Sequence, residues 1–244
     1  MKESLVNFRQ KEYPGRLIIL GKDPSGQNIV AVYAITGRSP ASQARKLVLK
    51  GDTIWTEATE EKLLSSGKIE LLLYPALFLS QGIAISNGQQ TEDIKQSLDL
   101  DKTPLQILST ALAGWSYEND PPIYTPRISG CLVSTERAAL SIIKRNENGN
   151  AVKNIFEFPL IPGKGRLIST YQGDNKEPLL SFSGEPEPIE VKAENTRDLA
   201  RSVYQALEPK PGQRDFRVAV ASVFFSNLRA NKYDVFIINR MKGS

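Results

Sequence analysis

Three runs decide the fold: Arg127-Ile-Ser-Gly-Cys-Leu-Val-Ser-Thr135, Ala138-Ala-Leu-Ser-Ile-Ile-Lys144 and Ala151-Val-Lys-Asn-Ile-Phe-Glu-Phe-Pro159. Each is apolar-rich and of strand length. The first two are separated by Glu136-Arg137, and a turn at Asn146–Asn150 precedes the third. Connections this short leave no room for a crossover helix, so the runs predict an antiparallel meander.

The same rhythm extends outward in both directions. Arg16–Gly21 and Asn28–Thr36 flank the turn Asp23-Pro24-Ser25-Gly26 as a hairpin, and Leu47–Leu49 and Thr53–Thr56 are short strands. Ile69–Leu79 reads as a strand broken at Tyr74-Pro75, because proline cannot donate to a ladder. Gly82–Ser86, Arg166–Tyr171, Phe216–Phe225 and Val235–Asn239 complete the set, the last two read as buried. Gly173–Pro188 is irregular and polar. The loop Pro162-Gly163-Lys164-Gly165 lacks the full phosphate-loop pattern and is set aside.

Helices are few. Thr59–Ser66 has a capping threonine, an acidic first turn and Gly67 beyond its end. Thr91 caps a second helix with Ile94 and Leu98 on one face. Thr103-Pro104 opens a third, whose stripe is Leu105, Leu108 and Leu112 up to Gly114. Asn195–Leu207 is amphipathic, with Leu199, Val203, Ala206 and Leu207 inward. Helical segments fall at 91–114 and 195–207, outside the strand runs. The expected class is α+β, with helices covering the outer faces of packed antiparallel sheets.

At 244 residues, without a linker-like stretch, the chain is expected to form one domain over 1–244. Its 40% hydrophobic and 24% charged content is that of a globular protein. Net charge is +4 and the pI about 9.0, with Lys and Arg scattered instead of striped. An anionic small molecule suits that pattern at least as well as nucleic acid. No run of about 18 apolar residues predicts a membrane span. A lone cysteine, Cys131, excludes intrachain disulfides and cysteine metal sites, and points to the cytoplasm.

Histidine is absent. Serine–histidine–aspartate and cysteine–histidine chemistry are thereby excluded, as are the usual zinc ligand sets. Proton transfer near neutral pH falls to carboxylates, Tyr, Lys or Cys tuned by their surroundings.

Between the third helix and the meander lies Tyr117-Glu-Asn-Asp-Pro-Pro-Ile-Tyr-Thr-Pro-Arg-Ile-Ser-Gly130. It gathers two carboxylates, two phenols and a guanidinium on one loop, and its prolines fix φ at their own positions and extend Asp120 and Thr125. Glu118, Asp120, Tyr124 and Arg127 are thus held in set relative positions, as a site or as a rigid turn with an Asp–Arg ion pair. Thr36-Gly37-Arg38-Ser39-Pro40 delivers Arg38 to a strand end, as an anion anchor or a solvated charge. Asn87-Gly88 precedes a helix start whose amides suit an anion, although Glu92 and Asp93 compete with one.

Taken in order, these residues resemble the archaeal-type IMP cyclohydrolase family. The resemblance runs through Tyr13-x-Gly15-Arg16, Gly26, Arg38-Ser39, Tyr74, Ser86-Asn87-Gly88 with Thr91, and Ser169-Thr170-Tyr171. Its most specific block is Tyr117-Glu118-x-Asp120 with Thr125-Pro126-Arg127-Ile128.

The resemblance implies a four-layer αββα sandwich similar to N-terminal nucleophile hydrolases, used without an N-terminal nucleophile. The polar leader between Met1 and Tyr13 is consistent with that. It implies a cyclohydrolase of the class acting on C–N bonds of cyclic amidines. Such an enzyme closes 5-formamidoimidazole-4-carboxamide ribotide (FAICAR) to IMP with loss of water, needs no metal or organic cofactor, and serves purine biosynthesis. Partners are then the ribotide and IMP, with oligomeric state open. Tyr74, Glu118 and Arg38 are the implied catalytic set, Glu118 moving the proton and Tyr74 donating to the formyl oxygen. Arg16, Ser39, Asn87, Gly88, Asp120, Thr125, Arg127 and Tyr171 are the implied substrate contacts. Arg16, Arg38 and Arg127 are the phosphate candidates, and Arg127 and Tyr171 serve either as ligands or as loop braces. The chain departs from the family where Gln90 replaces an expected histidine, Asn119 a lysine and Pro75 an asparagine. The alternative is a relative that binds a purine ribotide without cyclising it.

Overall fold

The computed structural model describes Leu5, Phe8 and residues 11–59 and 69–240. The chain begins with the hairpin β1 (Arg16–Lys22) and β2 (Ile29–Thr36), then one helical turn, α1 (Pro40–Gln43). Next come β3 (Arg45–Lys50), β4 (Thr53–Ala58), the short α2 (Ile69–Leu72), β5 (Pro75–Phe78) and β6 (Ile83–Ser86). Helices α3 (Gln90–Gln96) and α4 (Pro104–Ala111) lead into the meander β7 (Arg127–Leu132), β8 (Arg137–Arg145) and β9 (Ala151–Pro159). The rest is β10 (Lys164–Ser169), β11 (Glu187–Glu190), α5 (Thr196–Ala206), β12 (Arg217–Asn227) and β13 (Lys232–Asn239).

The strands form two antiparallel sheets. A six-stranded sheet runs β11-β10-β1-β2-β12-β13, and a seven-stranded sheet runs β3-β4-β5-β6-β7-β8-β9 in chain order. Period-2 alternation sorts their side chains. Along β2, Ile29, Ala31, Tyr33 and Ile35 enter a core shared with Leu77, Ile85, Leu140 and Ile142 of the other sheet. Val30, Val32 and Ala34 point the other way, onto Leu199, Ala200, Val203 and Ala206 of α5. On the seven-stranded sheet, Ala84, Cys131, Ala139 and Ile143 meet Ile94, Ile107, Leu108 and Leu112 of the α3–α4 segment. Each Val, Leu or Ile among them contributes about 1.5–3 kcal/mol when fully buried.

Two helices start as their caps dictate. Thr103 accepts from the Gln106 amide while Gln106 returns a bond to the Thr103 amide, a complete capping box with Pro104 next in line. Asn195 accepts from Asp198 N at 2.9 Å to open α5.

Several expectations are corrected. The first half of Ile69–Leu79 is the helical turn α2, and the strand begins at Pro75, where a missing N–H costs the ladder least. Thr91 does not cap its helix; α3 starts at Gln90 with Gln89 in the cap position, two residues earlier, and the Thr91 hydroxyl donates to Gly88 O at 3.1 Å. Leu105 is 41% exposed, because the cap sets a phase in which Ile107 and Leu108 face inward. Glu187–Glu190, read as largely irregular, pairs with β10. The strand at 235–239 is part of a sheet edge, half-buried instead of buried. The helix expected over Thr59–Ser66 lies, beyond Thr59, outside the described residues. No helix among those described is long and apolar enough to cross a membrane.

Antiparallel pairing brings particular strand ends together. The start of β1 (Arg16), the end of β2 (Thr36) and the residues after β10 meet through Thr36 N to Gly15 O and Thr170 N to Arg16 O, both 3.0 Å. On the other sheet, Asn87 after β6 and Arg127 at the start of β7 are joined by Asn87 N to Ile128 O at 3.2 Å.

Candidate active site

The loop before β7 is tied by Asp120. Its carboxylate accepts from Thr125 N at 2.7 Å and Thr125 Oγ1 at 2.6 Å, and its carbonyl from Ile123 N at 3.0 Å. Tyr124 closes the turn at φ 50°, a left-handed conformation that a tyrosine adopts at a cost. Glu118 N donates to Thr125 O at 2.9 Å, so the same clamp fixes the residue that points inward.

Glu118 is only 1% exposed. Burial raises its carboxyl to about 7, with Asp120 adding to the rise and Arg16, Arg127 and Arg45 opposing it. Arg127 Nη1 lies 3.8 Å from Glu118 Oε1, an ion pair without a hydrogen bond. Three buried polar atoms around this point find no hydrogen-bond partner among the described residues: Glu118 Oε1, Arg16 Nε and Arg45 Nη1. Desolvation opposes the Arg16 charge, but Tyr74, Glu118, Tyr33 and Tyr13 around it hold its pKa above the ordinary value. Arg45 is held lower, by burial and by its neighbour Arg16. Buried polar groups in folded proteins are nearly always paired. Three orphans in one cluster mark a place built for polar groups from outside the chain.

Beside them the Tyr33 and Tyr74 hydroxyls share a hydrogen bond of 2.8 Å, both rings fully buried. Tyr74 is held at its corner by Thr56, whose hydroxyl accepts from Tyr74 N at 2.8 Å. Arg45 is anchored by Nε to Ser42 O at 2.8 Å.

Arg127 is framed on several sides. Its Nε donates to Ser116 O at 3.0 Å, its Nη1 to Gln90 Oε1 at 3.0 Å, and its guanidinium lies 4.9 Å from the Trp115 ring centroid. Asn87 Oδ1 in turn accepts from Ile128 N at 2.8 Å and from Gln90 Nε2 at 3.2 Å. A Cβ on Gly88 would sit 2.5 Å from both Arg127 Nη1 and Gln90 Oε1, so glycine makes room for the arginine.

Other residues named from the sequence stand farther out. Tyr171 shares a 3.0 Å bond with Thr125 Oγ1 and stacks on Tyr13 at 5.6 Å between centroids; burial raises its phenol above the ordinary range. Arg38 lies over Tyr13 at 5.2 Å and pairs with Glu177 at 2.6 Å. No hydrogen bond or ion pair joins Arg38 to Tyr74 or Glu118 among the described residues. Ser39 is exposed and caps α1, accepting from Ser42 N at 3.1 Å. Asn87 and Gly88 present no spare amides, since theirs go to Ile128 O and Ser86 Oγ.

The structure thus gathers Arg16, Tyr74, Glu118 and Arg127 into one buried cluster, with Asp120, Thr125 and Tyr171 as its wall. Sequence reading missed Tyr33 and Arg45. Tyr33 carried a signal, being the one polar-tipped residue in the apolar run Ile29–Ile35. Arg45 carried none, since an arginine at a strand start reads the same whether solvated or buried. No group of three or more acidic, cysteine or histidine residues among those described is arranged to hold a metal.

Comparison with known proteins places this cluster in context. Residues 13–224 match the family described as IMP cyclohydrolase-like protein. The chain is 24% identical over 193 residues to an IMP cyclohydrolase of Methanothrix thermoacetophila, covering 79% of this chain and 85% of that one. It is 27% identical over 197 residues to an IMP cyclohydrolase of Halobacterium salinarum, covering 80% and 85%. The match includes every residue of the buried cluster and every strand except β13 and the end of β12, and the chain belongs to the IMP cyclohydrolase-like family.

Proposed function

We propose that this chain is an IMP cyclohydrolase that closes 5-formamidoimidazole-4-carboxamide ribotide to IMP with loss of water. Family membership sets the reaction class, and one observation carries it to this site: a buried carboxyl raised to about 7 beside a buried tyrosine pair and two arginines with unfilled donors. A single ribotide-binding unit over 1–244 working in the cytoplasm completes the proposal. Its fold is read as a four-layer αββα sandwich of the nucleophile-hydrolase kind. Two facing sheets with helices outside each support that assignment.

Ring closure joins the carboxamide nitrogen to the formyl carbon. The carboxamide nitrogen loses a proton and the formyl oxygen gains one, and the resulting hydroxyl takes a second proton and leaves as water while the formamide nitrogen gives up its hydrogen to form the C=N bond. A group titrating near 7 serves both directions of such traffic, which makes Glu118 the proton carrier. Tyr74, its hydroxyl oriented by Tyr33, donates to the formyl oxygen as charge develops there. Arg16, Arg45 and Arg127 against Glu118 leave the cluster net positive, and buried charge needs a counterion. An anionic ribotide supplies it. Arg38 and Tyr171 flank Tyr13, Arg38 on its more exposed side and Tyr171 buried, and suit the phosphate or ribose. Asn87 and Gly88 enter as framing residues instead of ligands, because their backbone amides are spent inside the protein, and Ser39 enters as the cap of α1.

Purified protein mixed with FAICAR in chelator-containing buffer, with IMP followed by absorbance, tests this. Rapid IMP formation is expected. No IMP, together with a ribotide-dependent rise in melting temperature, would favour the non-cyclising relative suggested by Gln90 and Asn119.

A further inference from the structure

We propose that Gln90 is a positioning residue for this site: by accepting the hydrogen bond of Arg127 Nη1, it holds that guanidinium just off Glu118 and keeps the carboxyl free to exchange a proton. The inference rests on Glu118 being the proton carrier.

The geometry is specific. Gln90 is fully buried and both ends of its amide are used, Oε1 by Arg127 at 3.0 Å and Nε2 towards Asn87 at 3.2 Å. Arg127 Nε is committed to Ser116 O, and the Trp115 ring lies beneath the guanidinium. Nη1, which carries two hydrogens, donates to Gln90 Oε1 at 3.0 Å and is held there 3.8 Å from Glu118 Oε1, beyond hydrogen-bond reach. A charge-assisted bond to Glu118 would stabilise the carboxylate and lower its proton affinity. The amide's hold on Nη1 keeps it at that distance. Asn87 fixes the amide, and Gly88 leaves the space through which Nη1 reaches it.

The other charged groups facing Glu118 are Arg16 from β1, Arg45 from β3 and Asp120 from its own loop. None of them is hydrogen-bonded to Gln90, whose side chain meets Asn87 and Arg127. With Oε1 removed, Nη1 is a buried donor whose nearest alternative is Glu118, and buried donors take the acceptor within reach. Glu118 should then lose its proton at lower pH.

The test is a carbon-13 carboxyl NMR titration of Glu118, assigned with Glu118→Gln, in the wild type and in Gln90→Met. Gln90→Asn, too short to reach Nη1, is the second variant if the first does not fold. The Glu118 midpoint is expected to fall by about one pH unit, the low end for a new opposite-charge contact. The acid limb of the kcat/KM profile should move with it. An unmoved or raised midpoint in a folded variant overturns the proposal and leaves Gln90 as packing at the start of α3. A lowered midpoint with an unmoved rate profile upholds the positioning and removes Glu118 from proton transfer instead.

Discussion

The hydroxyls of Tyr33 and Tyr74 lie 2.8 Å apart where the two sheets meet, both rings closed off from solvent. A hydroxyl donates one proton at a time, so if Tyr74 donates to a substrate oxygen, Tyr33 must donate to Tyr74. Tyr74→Phe removes the donor itself and should lower kcat by about 10²–10³. Tyr33→Phe leaves Tyr74 in place but frees its orientation, and should lower kcat by about tenfold with KM nearly unchanged. Steady-state kinetics on both variants checks the order. Equal losses would show that the pair acts as a unit.

Gly88 predicts a different kind of failure. Its added Cβ would stand 2.5 Å from Arg127 Nη1, without any strain in φ to confuse the result. Gly88→Ala should displace Arg127 from the Gln90 amide, lowering kcat while destabilising the fold by about 1–3 kcal/mol through overpacking. Gly51→Ala, where nothing lies within 4 Å, is the comparison: its cost comes from a φ of +58° alone and should leave kcat unchanged. Thermal melts and kinetics on the two separate packing from backbone strain.

Much of the fold was legible because local chemistry and global packing agree. β9 falls on Ala151–Pro159 as read, since alternation and a bounding turn fix it without help from elsewhere. The cap at Thr103 is a local event, legible from Thr103-Pro104 alone. The failures share a cause. The run Ile69–Leu79 is apolar apart from Glu70 and carries no period, and only its place beside β4 and β6 decides where the strand begins. Leu105 looked like stripe until the cap set the helix phase. In the candidate site, Glu118, Asp120, Thr125 and Arg127 lie close in sequence and were legible as one loop. Tyr33 and Arg45 are brought in from separate strands, and only the packing of one sheet on another reveals them. Gln90, noted in the sequence as a departure, is the partner of Arg127.

The α5 cap offers a control on stability without chemistry. Asn195 accepts from Asp198 N at 2.9 Å and lies on the face away from the buried cluster. Asn195→Ala should cost about 0.5–2 kcal/mol of unfolding free energy and leave kcat unaltered. A denaturant titration with parallel kinetics checks both halves.

Glu118 ties stability to function with a definite sign. Its carboxyl is raised from 4.5 to about 7 by burial, so between those values the folded protein holds a proton that the unfolded chain has released. Stability must therefore fall as pH rises through this window, reaching its full loss near and above pH 7. The difference corresponds to about 3 kcal/mol. Gln is a neutral isostere that never ionises, and it retains the contacts of the protonated acid. Glu118→Gln should match the wild type in stability near pH 4.5 and exceed it progressively up to pH 8. Its kcat should fall by about 10²–10⁴ across the same range. Melting temperatures of both proteins across pH 5–8 decide the matter. A variant less stable than the wild type at pH 8 would mean that the ionised carboxylate is needed to hold Arg16 and Arg127, and that ion pairing outweighs desolvation at this position. A variant more stable but inactive would locate the cost of carrying a buried proton donor in one residue, as expected where a site is kept at the expense of the fold.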